Sequence, residues 1–130
     1  MQTSNESQIE KLVQGWAGAV RAGNIEGILA HHSTDIVMYD VPEPFQSVGI
    51  NAYRKTWDLF FANTQPGVFD IVELRIIADE AVAFCFAIME CADKSDSVDF
   101  VTLPFRLTIG LRKIHNQWTI IHEHHSLPST

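Results

Sequence analysis

From residue 68 onward the chain is almost unbroken strand-forming sequence: VFDIVELRIIA (68–78), AVAFCFAIMECA (81–92), FVTLPFRLTIGLRKI (100–114) and WTIIHEHHS (118–126). The interruptions are short. Asp79-Glu80 reads as a hairpin turn, DKSDS as a polar connection and HNQ as a second turn. Such a run predicts a meander of long antiparallel strands, and everything before it reads as helix with one short strand. Ser7 followed by Glu10 forms a capping-box pattern, after which Ile9, Leu12, Val13, Trp16 and Val20 recur at helical spacing up to Gly23. Asn24 caps a shorter helix, IEGILAHH, and DIVMYDV reads as a strand ended by Pro42 and Pro44. A third helix, NAYRKTWDLFFAN, aligns Tyr53, Trp57, Phe60 and Phe61 on one stripe and stops at TQPG. Helices first and a strand meander afterwards define an α+β layout. With no internal repeat and no linker, residues 1–130 read as a single domain.

Several function classes fall away on bulk properties. A net charge of −7 disfavours a nucleic-acid backbone or an anionic membrane surface as partner. No apolar run reaches the roughly 18–20 residues of a membrane span. The opening MQTSNESQIEK has neither the basic nor the apolar region of a signal peptide, so a cytoplasmic location is expected. Cys85 and Cys91 lie in one extended run, roughly 20 Å apart by strand geometry, too far for a bridge. There is no nucleotide loop, flavin or nicotinamide fingerprint or nucleophile elbow, so no organic cofactor is expected.

Three stretches carry a family resemblance. WAGAVRAGNIEGILAHHSTDIVMYDVPEP resembles the opening of the nuclear-transport-factor-2-like superfamily in its SnoaL-like and ketosteroid-isomerase-like branches. SVGINAYRKTW is similar to that family's third helix, and RLTIGLRKIHNQWTIIHEHHSLP to its last hairpin. The resemblance implies a cone-shaped, cystatin-like fold in which a strongly curved antiparallel sheet wraps the N-terminal helices around a deep pocket. It also implies a small-molecule ligand and a homodimer formed through the sheet. Chemistry in this superfamily ranges from isomerases and dehydratases to non-catalytic modules, so the fold names a container rather than a reaction.

Strand alternation sorts the candidate residues. In the last strand Trp118, Ile120, His122, His124 and Ser126 share one face, and Thr119, Ile121, Glu123, His125 and Leu127 the other. Arg106, Thr108, Gly110 and Arg112 group together on the strand before it. The polar set Arg106, Thr108, His122, His124 and Ser126 therefore fits a pocket wall, and the resemblance turns the H-x-H-x-S side inward. His122 and His124 could converge on a metal with His31 or His32 as third ligand, but no H-E-x-x-H or same-face carboxylate accompanies them, so no metal is expected.

By resemblance Asp40 stands at the position of the ketosteroid isomerase general base. The donors that stabilise the enolate in that enzyme are missing, since Trp16 replaces the tyrosine and Thr108 the acid. The expectation is thus an isomerase- or lyase-like acid/base enzyme without cofactor, acting on an apolar or carbonyl-bearing substrate and not a standard steroid isomerase. Asp40, His122, His124 and Arg106 are the candidate catalytic residues; Trp16, Tyr39, Trp57, Thr108 and Ser126 are the candidate substrate contacts. Against this stand two plainer readings. Asp40 also reads as a plain turn cap or arginine partner, and the chain as a non-catalytic module that binds a hydrophobic ligand or serves association.

Overall fold

A computed structural model describes residues 4–93 and 102–128, without the side chains of 65, 66 and 93. Residues 94–97 of the DKSDS connection and the start of the third long strand lie outside the described residues. Helix α1 spans Asn5–Ala22 and α2 Ile25–Leu29, followed by β1 (His32–Tyr39), β2 (Ser47–Val48) and α3 (Ile50–Asn63). Four long strands complete the chain: β3 (Thr64–Ala78), β4 (Val82–Asp93), β5 (Thr102–Ile114) and β6 (Gln117–Ser126).

Local chemistry accounts for most boundaries. Gly23 ends α1 at φ 66°, a left-handed conformation that glycine adopts without penalty, and its N–H returns to Ala19 and Val20. Asn24 caps α2 by accepting from Gly27 N. The N-cap of α1 is Ser4, not Ser7; the Ser4 hydroxyl accepts from Ser7 N at 3.1 Å, so the helix begins before the expected capping box. Helix α2 stops at Leu29, and His32 already belongs to β1. TQPG does not merely end α3, because Thr64 opens β3 directly.

The six strands form one curved, unclosed sheet in the order β2-β1-β6-β5-β4-β3, with the helices packed on its inner face. All pairings are antiparallel except that β1 runs parallel to β6, so the sheet is mixed. That pairing brings the two halves of the chain together. Ile9, Val13, Trp16, Ala17 and Val20 of α1 and Tyr53 and Trp57 of α3 bury against Met89, Leu107, Ile109, Leu111 and Ile120. No described helix is long and apolar enough to cross a membrane.

One irregularity decides what the last strand presents. Leu111 pairs with Ile120 but Gly110 pairs with His122, leaving Ile121 as an extra residue in β6. Past a β-bulge of this kind the alternation changes phase. Trp118 and Ile120 point inward before it, and Glu123 and His125 point inward after it. The expected grouping of Trp118 and Ile120 with His122 and His124 is therefore broken at Ile121.

Candidate functional site

The inward side chains of β6 meet α1, α3 and β1 in a buried polar cluster centred on Glu123. Its carboxylate is fully buried. Tyr53 Oη donates to Oε2 at 2.7 Å, His32 Nε2 lies 2.7 Å from the same oxygen, and His125 Nε2 lies 3.0 Å from Oε1. His32 Nδ1 contacts the Ala30 carbonyl at 2.8 Å, so both its ring nitrogens face acceptors. Trp16 Nε1 donates to Tyr53 Oη at 3.1 Å and closes the network on the helix side. Each element contributes for a structural reason. The bulge aims Glu123 and His125 inward, α3 packs the Tyr53 ring against Trp57, and the α2–β1 junction stacks His32 on Tyr53 at 4.8 Å.

Burial by itself pushes the Glu123 carboxyl up. Hydrogen bonds from His125 and His32, together with their positive charge, outweigh that cost and hold it at about 2. Tyr53 moves the other way, well above its ordinary value, through burial first and then the charge and hydrogen bond of Glu123. The nearby indoles of Trp57 and Trp16 only partly oppose that rise. Cys85 is pushed up to about 12 by burial and by the same carboxylate, so its thiol stays protonated and is no nucleophile.

Around this cluster the interior is packed with rings. Trp16 lies 5.8 Å from Trp57 and 5.2 Å from Phe69, and His125 stacks on Phe105 at 5.7 Å while meeting Trp16 and Trp57 edge-on. The volume in which a deep pocket was expected is filled by aromatic side chains. Two polar groups in it remain unused. His125 Nδ1 takes part in no hydrogen bond with a described residue, and Trp57 Nε1 is buried with no partner in hydrogen-bonding geometry. His125 and Phe105 are each 7% exposed, and Phe60 and Phe61, which join the cluster through Trp57 and Phe69, are half-buried.

The expected site residues divide into three places. Trp16 and Trp57 are interior, as described. Arg106, Thr108 and His124 are exposed on the outer face of the sheet, with half-buried Ser126 beside them; Arg106 Nε donates to Ser126 Oγ at 3.1 Å. His122, half-buried on the same face, bonds through Nδ1 to the Val37 carbonyl at 2.6 Å. The expectation that this face looks inward is corrected: the convex side carries it, and the inner side carries Glu123 and His125. Asp40 falls just after β1, where Oδ1 accepts from the adjacent Val41 N at 2.8 Å. It joins Tyr39 and His124 around an open depression of about 820 Å³ beside the fully exposed Phe45. Asp40 and His124 are thus brought together, but on the outside and away from the aromatic interior.

Sequence reasoning named His32 only as a possible metal ligand, Tyr53 only on a helix stripe, and Glu123 and His125 on the face opposite the candidate set. The available signal was a lone carboxylate on an otherwise largely apolar strand face, which cannot be buried without donors. A metal does not fit the cluster as built, since His32 and His125 both turn Nε2 to the Glu123 carboxylate. Among the described residues no group of three or more His, Cys, Asp or Glu side chains is arranged to hold one.

A cone of three helices on a curved sheet, with a polar knot at its inner wall, defines a nuclear-transport-factor-2-like protein. The family model of the SnoaL-like domain matches residues 9–130, and the chain belongs to that family. A crystal structure of an NTF2-like protein of unknown function from Pseudomonas putida is similar at 34% identity and TM-score 0.88, covering 100% of this chain and 91% of that one. A protein of unknown function with a cystatin-like fold from Nostoc punctiforme superposes at TM-score 0.81 with 13% identity over 100% and 97% of the two chains. A ketosteroid isomerase-like protein from Erwinia carotovora superposes at 0.79 with 18% identity over 98% and 100%. The last two likenesses concern the fold alone. No curated protein matches the chain.

Proposed function

We propose that this chain is a small-molecule enzyme of the SnoaL-like type, using acid/base chemistry without a cofactor on an apolar or carbonyl-bearing substrate. His125 moves the proton and Glu123 holds it in place. The supporting observation is the His125–Glu123 pair: an ionised carboxylate, fixed by donors from two other elements, engages Nε2 and leaves Nδ1 uncommitted. A carboxylate held this low takes up no proton near neutrality, so it positions the imidazole and stabilises its cation. The Trp57 indole N–H, unpaired and buried, is available to a substrate oxygen. Entry requires the Phe105 ring, stacked on His125, to move aside. Standard steroid isomerisation is disfavoured, since Trp16 spends its N–H on Tyr53 and Thr108 lies outside.

The test is α-proton exchange in D2O, followed by NMR on small aromatic ketones such as 2-tetralone. The wild-type protein accelerates exchange, and His125→Asn loses about two orders of magnitude of that acceleration. Equal rates in the two proteins, or no acceleration by the wild type, would remove His125 from the role.

We also propose a homodimer through the outer sheet face. Ile77, Phe84, Phe86 and Ile88 form an exposed apolar flank there, and Arg75 lies 5.9 Å from the centre of the Phe86 ring. Phe86→Glu is expected to raise the dimer dissociation constant at least about tenfold in sedimentation equilibrium, the effect of a single lost anchor. A wild-type chain that stays monomeric at high concentration contradicts it. A stable dimer with no exchange activity would favour the association-module reading. The buried Cys85 thiol suits a reducing, cytoplasmic setting.

A further inference from the structure

The Glu123 carboxylate is ionised although fully buried, and a buried charge without a compensating one is strongly destabilising. Few groups in the molecule can supply the compensation. Among the described residues no lysine or arginine pairs with Glu123; its ionisable partners are His32, His125 and the Tyr53 phenol. Helix α1 brings only the uncharged Trp16 to the cluster, and burial keeps the Cys85 thiol of β4 protonated. Burial first, and then Glu123, push Tyr53 well above its ordinary value, so it stays a neutral phenol. The balancing proton therefore resides on one of the two imidazoles.

Hydrogen-bond geometry separates them. The His32 side chain is fully buried and has an acceptor at each ring nitrogen: the Ala30 carbonyl 2.8 Å from Nδ1, and Glu123 Oε2 2.7 Å from Nε2. A carbonyl and an ionised carboxylate only accept. Both nitrogens must then donate, and an imidazole with two N–H groups is a cation. The remaining contact agrees, because Tyr53 Oη gives its own proton to Oε2 and turns lone pairs to Trp16 Nε1 and to His32 Nε2, 3.0 Å away. At His125 only Nε2 meets an acceptor, Glu123 Oε1 at 3.0 Å. A second proton on Nδ1 would put a charged N–H among the Trp16, Trp57 and Phe105 rings with no described acceptor.

The backbone at the α2–β1 junction is shaped to deliver His32. His31 adopts φ 61°, a left-handed conformation uncommon outside glycine, and its carbonyl accepts from Ile120 N at 2.7 Å. His32 pairs with Ile120, but the next pair in register is Val37 with His122, so the strand is irregular directly after it. Between these two irregularities the His32 ring is held in the cluster, stacked on Tyr53.

We propose that His32 is the positioning cation of this site: it keeps both ring protons, balances the Glu123 charge, and so leaves His125 neutral, with its Nδ1 lone pair free to receive a substrate proton. The catalytic half of this rests on the reading of His125 as the proton carrier; the placement of the charge does not. Without His32 the carboxylate draws the balancing proton onto His125, which then cannot act as a base at neutral pH.

The test is ring-nitrogen NMR of 15N-histidine-labelled protein at neutral pH, where an ordinary imidazole with a pKa of about 6.5 is mostly uncharged. The two rings are assigned through their contacts with Tyr53 and Phe105. His32 should show two protonated nitrogens and His125 one. In His32→Gln, His125 should gain the second proton. Exchange of 2-tetralone protons by that variant should fall about tenfold or more at neutral pH and recover as the pH is raised. Loss of a merely structural residue would lower exchange alike at every pH. A single ring proton on wild-type His32, two on wild-type His125, or an unchanged His125 in His32→Gln would each overturn the proposal. Should His32→Gln not fold, the wild-type spectrum still decides. The expected ring protons in a protein without exchange activity would uphold the charge assignment and remove the enzymatic reading.

Discussion

Replacing Glu123 by alanine is expected to destabilise the fold by about 3–5 kcal/mol, the range for breaking a buried ionic network by deleting one partner. The reason lies in what stays behind. Tyr53, His32 and His125 each direct a hydrogen-bonding group at this carboxylate, and all three side chains are buried. Without it, a phenol and two imidazoles are left in an apolar interior without the acceptor they share. Tyr53→Phe removes only one of those donors and should cost less, about 1.5–3 kcal/mol for a hydrogen bond to a charged group. Urea unfolding of both variants provides the comparison. A loss below about 1 kcal/mol on Glu123→Ala would mean that the carboxylate is not the hub of the cluster.

The second large effect is on the acid limb of stability. Burial raises the Glu123 carboxyl, but the hydrogen bonds and charges of His125 and His32 hold it at about 2 in the folded protein, below the 4.5 of an ordinary glutamate. A group with a depressed folded pKa contributes stability that is fully present above its unfolded value and is lost as the pH falls through the folded one. The contribution is therefore complete above the unfolded value of 4.5 and disappears progressively toward 2. On that difference it amounts to about 3 kcal/mol. Glu123→Gln cannot ionise, so its unfolding free energy should fall less steeply over the same acid range. Parallel pH profiles for wild type and Glu123→Gln would refute the assignment.

Much of the architecture is legible from local chemistry. Gly23 and Asn24 punctuate the first two helices, Asp79-Glu80 lies at the hairpin, and the order of elements carries the α+β layout. The parallel pairing of β1 with β6 is not local: nothing in DIVMYDV states which strand it will lie beside. The start of α1 was read too late, at the Ser7–Glu10 pattern, whereas Ser4 supplies the cap.

The site was lost on a single residue. In HEHH the two candidate pairs, His122 with His124 and Glu123 with His125, differ only in phase, and the extra residue Ile121 sets that phase. Alternation read through an unrecognised bulge assigns the wrong face to part of the strand. A bulge leaves no composition signal of the kind that a glycine or proline turn leaves. The physical clue ran the other way, through cost. Either two histidines or a carboxylate and a histidine had to be buried, and only the second pair comes with mutual satisfaction, completed by Tyr53 and His32. Asp40 illustrates the opposite hazard. Its role was drawn from its place before a proline loop, and that same place lets its side chain cap the adjacent N–H.

The central claim is that a charged Glu123 carboxylate sits inside the protein, on the inner wall of the cone. The direct measurement is a pH titration of carboxyl-labelled glutamate by 13C NMR, with the Glu123 resonance assigned by its loss in Glu123→Gln. The resonance is expected to keep its ionised shift down to a pH of about 3, where ordinary glutamates have already protonated. A Glu123 that titrates with the surface glutamates near 4.5, or that is neutral at neutral pH, would contradict the account.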